Sequence, residues 1–106
     1  MKEIEYIFYL SSDMQDRIRV NAVKEKREIL EFCVQYEARI IEKWQPIIRY
    51  DTAHGYAHRD IIHFDGSVEK EPLYFVNYNF AFTFATQDLR KSWRKYREKY
   101  KQEVSK

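Results

Sequence analysis

The chemistry-bearing residues of this chain gather in one stretch, "WQPIIRYDTAHGYAHRDIIHFDG", residues 44–66. It holds all three histidines, His54, His58 and His63, and both glycines. The unit Asp-x-x-His occurs twice, as Asp51 to His54 and as Asp60 to His63, with Arg49 and Arg59 close by. If residues 47–51 and 60–64 pair as a hairpin, Asp51 and Asp60 meet at its mouth. His54 and His58 then lie in the loop above, with Arg49 and Arg59 beside them. His63 alternates with Ile61 and faces another way.

Three chemistries use these residue types. In the plainest, Asp51 and Asp60 make turn hydrogen bonds to backbone amides and to arginine, and the histidines fill in around them. In the second, His54 and His58, with Asp51, Asp60 or His63, hold a divalent ion. The His-x3-His spacing suits a helix or tight loop, but no cysteine takes part. The third is acid–base catalysis without a metal, and it needs no cofactor. Imidazole titrates near neutral pH, so one histidine can take the proton of a ribose 2′-hydroxyl while another protonates the leaving 5′-oxygen. An arginine would balance charge on the phosphoryl oxygens, and Asp51 or Asp60 would hold a ring in its useful tautomer.

The core "RYDTAHG", followed by "HRD", resembles small uncharacterised archaeal and bacterial proteins. More distantly it resembles the TumE-like family of toxin–antitoxin proteins, which carry an Arg-x-Asp-Asn-Ala-x-His core and then a second histidine cluster. Arg49, Asp51, Ala53 and His54 match the first part, and His58 and His63 stand where the second would be. Thr52 replaces the family's asparagine, and a single His54 replaces a histidine pair. The resemblance covers about a fifth of the chain and implies a small toxin-like protein acting on RNA.

Alternation supplies the frame for this stretch. Ile4, Tyr6, Phe8 and Leu10 share one face of a first strand, and Ile18, Val20 and Ala22 one face of a second. Residues 29–41 alternate as Leu30, Phe32, Val34, Tyr36, Ala38 and Ile40. The branched and aromatic content favours a long strand over a helix. "SSDMQD" and "EKWQ" read as turns, and "KEKRE" as a loop or a solvated strand end. Pro46 lacks an N–H, so it should open a strand or lie on an edge. Strands at 47–51 and 60–64 follow, and 67–73 reads as irregular. Phe82, Ala85, Leu89, Trp93, Tyr96 and Tyr100 then recur at helical spacing, predicting a helix over about 79–103 capped by Asn77 or Asn79. The expectation is one domain, 1–106, of the α+β class. It would be an antiparallel sheet of about five strands with a long C-terminal helix on one face.

The net charge is +2, but residues 86–106 carry eight cationic against three acidic side chains, leaving −3 for the rest. Arg90, Arg94, Arg97 and Lys101 fall on one helical stripe, and Lys91, Lys95 and Lys99 on a second. The stripes can grip RNA phosphates, with Trp93, Tyr96 and Tyr100 as stacking surfaces, or meet an acidic antitoxin. The plainer reading is a solvated helix face over core aromatics. Tyr- and Ile-rich strand faces also allow a homodimer. No apolar run approaches a membrane span, and the acidic start is unlike a signal peptide, so a cytoplasmic address is expected. The lone Cys33 reads as a small strand residue.

Overall fold

The computed structural model describes residues 1–105. In chain order the elements are β1 (Lys2–Tyr9), β2 (Asp16–Glu25), β3 (Glu28–Ile40), β4 (Lys43–Asp51), β5 (His58–Ile62), β6 (Val68–Pro72) and α1 (Tyr78–Val104). The strands form one antiparallel sheet whose spatial order is the chain order, and α1 lies across one face. This is the expected α+β arrangement with six strands rather than about five. The added strand is β6, in the stretch expected to be irregular. Its sequence, Val-Glu-Lys-Glu-Pro, has no apolar face to reveal it, because only Glu71 is even half-buried. It is a strand because β5 pairs with it from Ile62↔Val68 to His58↔Pro72.

Alternation in the central strands sorts side chains between the two faces. Ile18, Val20, Ala22, Phe32, Val34 and Tyr36 are buried toward α1, while Arg17, Arg19 and Gln35 lie half-buried on the other face. The helix answers with Ala81, Ala85, Leu89, Trp93 and Tyr100. Phe32 meets Tyr78 and Phe82 edge-on, and Trp93 packs on Tyr36. Of the two cap candidates, Asn77 caps the helix by accepting from the Phe80 N–H at 3.0 Å. Asn79 instead accepts from Ile29 N–H and donates to the Arg27 carbonyl, both at 2.8 Å, and ties the helix start to the β2–β3 turn. Among the described residues no helix is long and apolar enough to cross a membrane.

β3 and β4 are joined by Ile41 and Glu42, both with positive φ (54° and 61°). This is the mirror-image turn that suits the twist of a hairpin, made without the usual Asn or Gly. β4 therefore starts at Lys43, and Pro46 lies inside it, beside a bulge whose extra residue is Ile47 of β4 itself. β5 reaches only Ile48–Asp51 of β4, so Pro46 occupies a locally free edge where no N–H is needed.

Candidate functional site

The β4–β5 hairpin builds the site by register. Asp51 pairs with His58 and Arg49 with Asp60, which places all four side chains on the face away from α1. The connection between them is held shut by Thr52, a buried residue whose Oγ1 accepts from Phe32 N–H at 3.0 Å. Ala53–Gly55 then make a single 3-10 turn in which His54 has φ 70° and Gly55 φ 83°. A left-handed non-glycine residue costs roughly 1–2 kcal/mol, so the turn beside this cluster is strained. His58 is not in the loop, as the sequence suggested. It opens β5 and is 1% exposed.

His58 Nε2 lies 2.7 Å from Asp51 Oδ1 and 3.6 Å from Asp60 Oδ1, and Nδ1 is 3.3 Å from the Tyr56 carbonyl. The ring nitrogens thus face oxygen atoms on both sides, those of Asp51 and Asp60 at Nε2 and the Tyr56 carbonyl at Nδ1. Asp60 also takes Lys70 Nζ at 3.1 Å and has Arg49 Nη1 at 4.0 Å. Two carboxylates are thus met by two cationic side chains and by the His58 ring. The turn above brings the exposed His54 ring to 6.3 Å from His58, centre to centre, and Tyr56 to 5.3 Å.

The polar array continues along the open face. Arg49 Nε donates to Gln35 at 2.7 Å, and Gln35 donates onward to Glu37. Glu37, 6% exposed, also accepts from Arg17 at 2.7 Å and Arg19 at 3.3 Å. Burial alone would push its carboxyl up, but these three donors outweigh it and hold it below the ordinary range. Cys33, whose Cα pairs with Asp51, is pushed up to about 11 by burial and by the nearby Asp51 carboxylate. It is a thiol at neutral pH, not a nucleophile.

The hairpin separates Arg59 from this cluster. Arg59 pairs with Tyr50 and faces α1. There Tyr50 and Tyr96 both donate to Asp88 Oδ2 at 2.6 Å, and Arg59 reaches both hydroxyls and Glu71. Burial and the hydrogen bond to Asp88 push the Tyr96 hydroxyl up to about 12. His63 lies past the end of β5, between Glu69 at 2.7 Å and Glu103 at 2.8 Å. It is remote from the other histidines in its contacts. The basic helix is divided too. Arg97 donates to the buried Asp16 at 2.8 Å, Arg90 lies over Phe8, and Arg94 lies over Trp93. Lys101 is exposed. Trp93 and Tyr100 are 7% and 4% exposed, so the core, not a stacking surface, uses them.

Gln35, Glu37 and Lys70 belong to the array although the sequence reading did not select them. Gln35 and Glu37 alternate with core residues, and matching their parity to Arg49 would have found them. Lys70 carries no such signal. A shallow depression of about 430 Å³ adjoins the array, with Glu3, Glu5, Glu31, Cys33 and Asp51 in its lining. Asp51, His58 and Asp60 each offer a ligand atom, and these lie within 4.8 Å of one another. That O,O,N set suits a borderline divalent ion, with the Nδ1–carbonyl contact as its usual support. Lys70 and Arg49 already balance the carboxylates there, and Lys70 Nζ would have to give way. His63 is no part of such a set.

No curated protein and no solved structure matches this chain significantly. One family model matches it over residues 1–106, and the chain belongs to that family, described as a domain of unknown function, DUF7718.

Proposed function

We propose that this is a small toxin-like protein that cleaves RNA by acid–base chemistry without a metal, at the open face of the β4–β5 hairpin. One observation carries the reading. His58 is buried between Asp51 and Asp60 on a sheet face with no core over it, with a second, exposed imidazole above it. Burying charge is costly, so a dense polar array away from the core points to chemistry more than to stability. The strained backbone at His54 and the resemblance to TumE-like toxins at Arg49, Asp51, Ala53 and His54 support the same reading.

His54 would take the 2′-hydroxyl proton as the 2′-oxygen attacks phosphorus. His58, reached when the 53–55 turn lifts, would protonate the departing 5′-oxygen, leaving a 2′,3′-cyclic phosphate. Arg49 and Lys70, the part-exposed cations of the array, would meet the phosphoryl oxygens. Asp51 and Asp60 would orient the His58 ring. Arg90, Arg94 and Lys101 would draw RNA or an acidic antitoxin to the helix.

The test is incubation of the protein with single-stranded RNA at neutral pH, with and without EDTA. Cleavage should survive EDTA and fall by on the order of 100-fold or more in His54→Ala and in His58→Ala. Full activity in both variants overturns the reading. Cleavage abolished by EDTA transfers the role to a metal held by Asp51, His58 and Asp60. No cleavage at all leaves a non-enzymatic interaction protein.

A further inference from the structure

The two edges of the sheet are built differently. β6 is short, carries Glu69, Lys70 and Glu71, and ends in Pro72, which are the usual devices that keep an edge from pairing. β1 is eight residues long, and nothing guards its second half. Tyr6, Ile7, Phe8 and Tyr9 are 39–43% exposed, on both faces of the strand. There is no proline, bulge or charge among them.

The free backbone groups of this edge can be assigned. Leu10 N–H donates to the Asp16 carbonyl at 2.8 Å, continuing the β1–β2 register. Hydrogen-bonded pairs alternate in an antiparallel ladder, so the even residues of β1 bond to β2. Glu3, Glu5, Ile7 and Tyr9 therefore point their N–H and C=O groups outward.

We infer that β1 pairs with β1 of a second copy of this chain, antiparallel about a two-fold axis at Tyr6, making one continuous sheet across the dimer. The sequence Lys-Glu-Ile-Glu-Tyr-Ile-Phe-Tyr selects that occupant and register. Its first half is acidic and its second half aromatic and aliphatic. Centred on Tyr6, Glu3 faces Tyr9 of the second copy, Glu5 faces Ile7, Ile4 faces Phe8, and Tyr6 faces itself. Each outward backbone group from Glu3 to Tyr9 then has a partner, and no like charges are opposed. A register centred on Glu5 opposes two glutamates, a parallel arrangement opposes both pairs, and one centred on Ile7 leaves Glu3 unpaired. Behind Tyr9 and Ile7 lie Arg17 and Arg19, so the glutamates of one copy approach the arginines of the other across one strand. The two-fold keeps both helices on the same side of the sheet. It also sets Ile7 and Tyr9 of each copy beside Glu5 and Glu3 in the acidic depression of the other, giving that depression an outer wall.

Sedimentation of the full chain at high micromolar concentration should give a dimer. Tyr6→Lys opposes two ammonium groups on the axis. Ile7→Pro removes an outward N–H that β2 does not use. Both should remain folded by circular dichroism and weaken association by at least 100-fold. If either fails to fold, Tyr6→Cys in a Cys33→Ser background decides, because facing thiols at a non-hydrogen-bonded pair should oxidise to a cross-linked dimer. A monomeric wild type, a dimer that persists in both folded variants, or no cross-link in the Tyr6→Cys variant overturns the inference.

Discussion

On the helix side of the sheet, Asp16 is 3% exposed and accepts from Tyr36 at 2.6 Å and Arg97 at 2.8 Å, inside an apolar core. On the open side, Asp51, His58 and Asp60 make a second buried polar group with no core above it. Different strands of the one sheet carry them. The first joins the start of β2, the middle of β3 and the late turns of α1, so it locks elements together. The second joins two neighbouring strands that backbone pairing already holds. Its members spend their charge on one another rather than on tertiary structure. Of these two polar clusters, the first ties the fold together and the second is not needed to do so.

The largest expected effect separates them by stability. Asp16→Ala leaves the Tyr36 hydroxyl and the Arg97 guanidinium without their acceptor, and should cost about 3 kcal/mol in urea denaturation. Leu89→Ala, at a fully buried helix position, belongs to the same range. Arg97→Ala should follow at about 2 kcal/mol, whereas Lys101→Ala, on the same stripe but exposed, should stay within about 0.5 kcal/mol. Equal costs for Arg97 and Lys101 would mean that the helix stripe has no structural member.

The next effect separates the faces by activity. Asp51→Asn keeps the shape of the open-face array and removes one charge, so its stability loss should be about 1 kcal/mol. RNA cleavage should drop on the order of 100-fold. Asp16→Ala, assayed below its own melting temperature, should keep its activity. A loss of activity that tracks stability across both faces would erase the distinction.

How far the sequence revealed these faces depends on what each element shows in its own side chains. β1 to β3 and the second half of α1 were legible, because alternation and helical spacing are written in which residues they bury. β6 was not, since an edge strand exposed on both faces has no buried set to reveal it. The gathering of Asp51, Asp60 and Arg49 was legible from the two Asp-x-x-His units. The burial of His58 and the departure of Arg59 were not, because both depend on the length of the connection. With six residues between β4 and β5, Asp51 faces His58, and Arg59 shares its face with Tyr50. A connection one residue different would have exchanged the two.

A smaller effect tests the hairpin next to this one. Ile41 and Glu42 hold positive φ without the residues that favour it, and Ile41 is 62% exposed and so gains little from packing. Ile41→Asn with Glu42→Gly should stabilise the protein by about 1 kcal/mol and raise Tm by roughly 4–8 °C. The strained His54–Gly55 turn should respond differently. His54→Gly relieves comparable strain, yet it should stabilise while abolishing cleavage, because there the strained residue carries the imidazole. Stabilisation of both turns with activity kept in both would make the strain at His54 incidental.

The smallest effect belongs to His63, the histidine that neither face uses. Its hydrogen bonds to Glu103 and Glu69 raise its pKa above the ordinary 6.5, and it joins the end of β5 to β6 and the last turn of α1. Glu103 is pushed up by burial, but the Phe64 N–H and His63 outweigh this, as they do repulsion from Asp65, and leave it below 4.5. The raised histidine stabilises fully below pH 6.5 and loses that contribution as pH rises through its folded value. The lowered glutamate contributes above pH 4.5 and loses it as pH falls through its own folded value. The clamp is therefore strongest between about pH 4.5 and 6.5. Its partners are partly exposed, so screening keeps it to a few tenths of a kcal/mol. In melts at pH 5.5 and 9, His63→Gln should lower Tm at the acidic pH and have little effect at the alkaline one. A deficit of the same size at both would mean that His63 acts by packing, and that the charge on its ring does no tethering of the helix end.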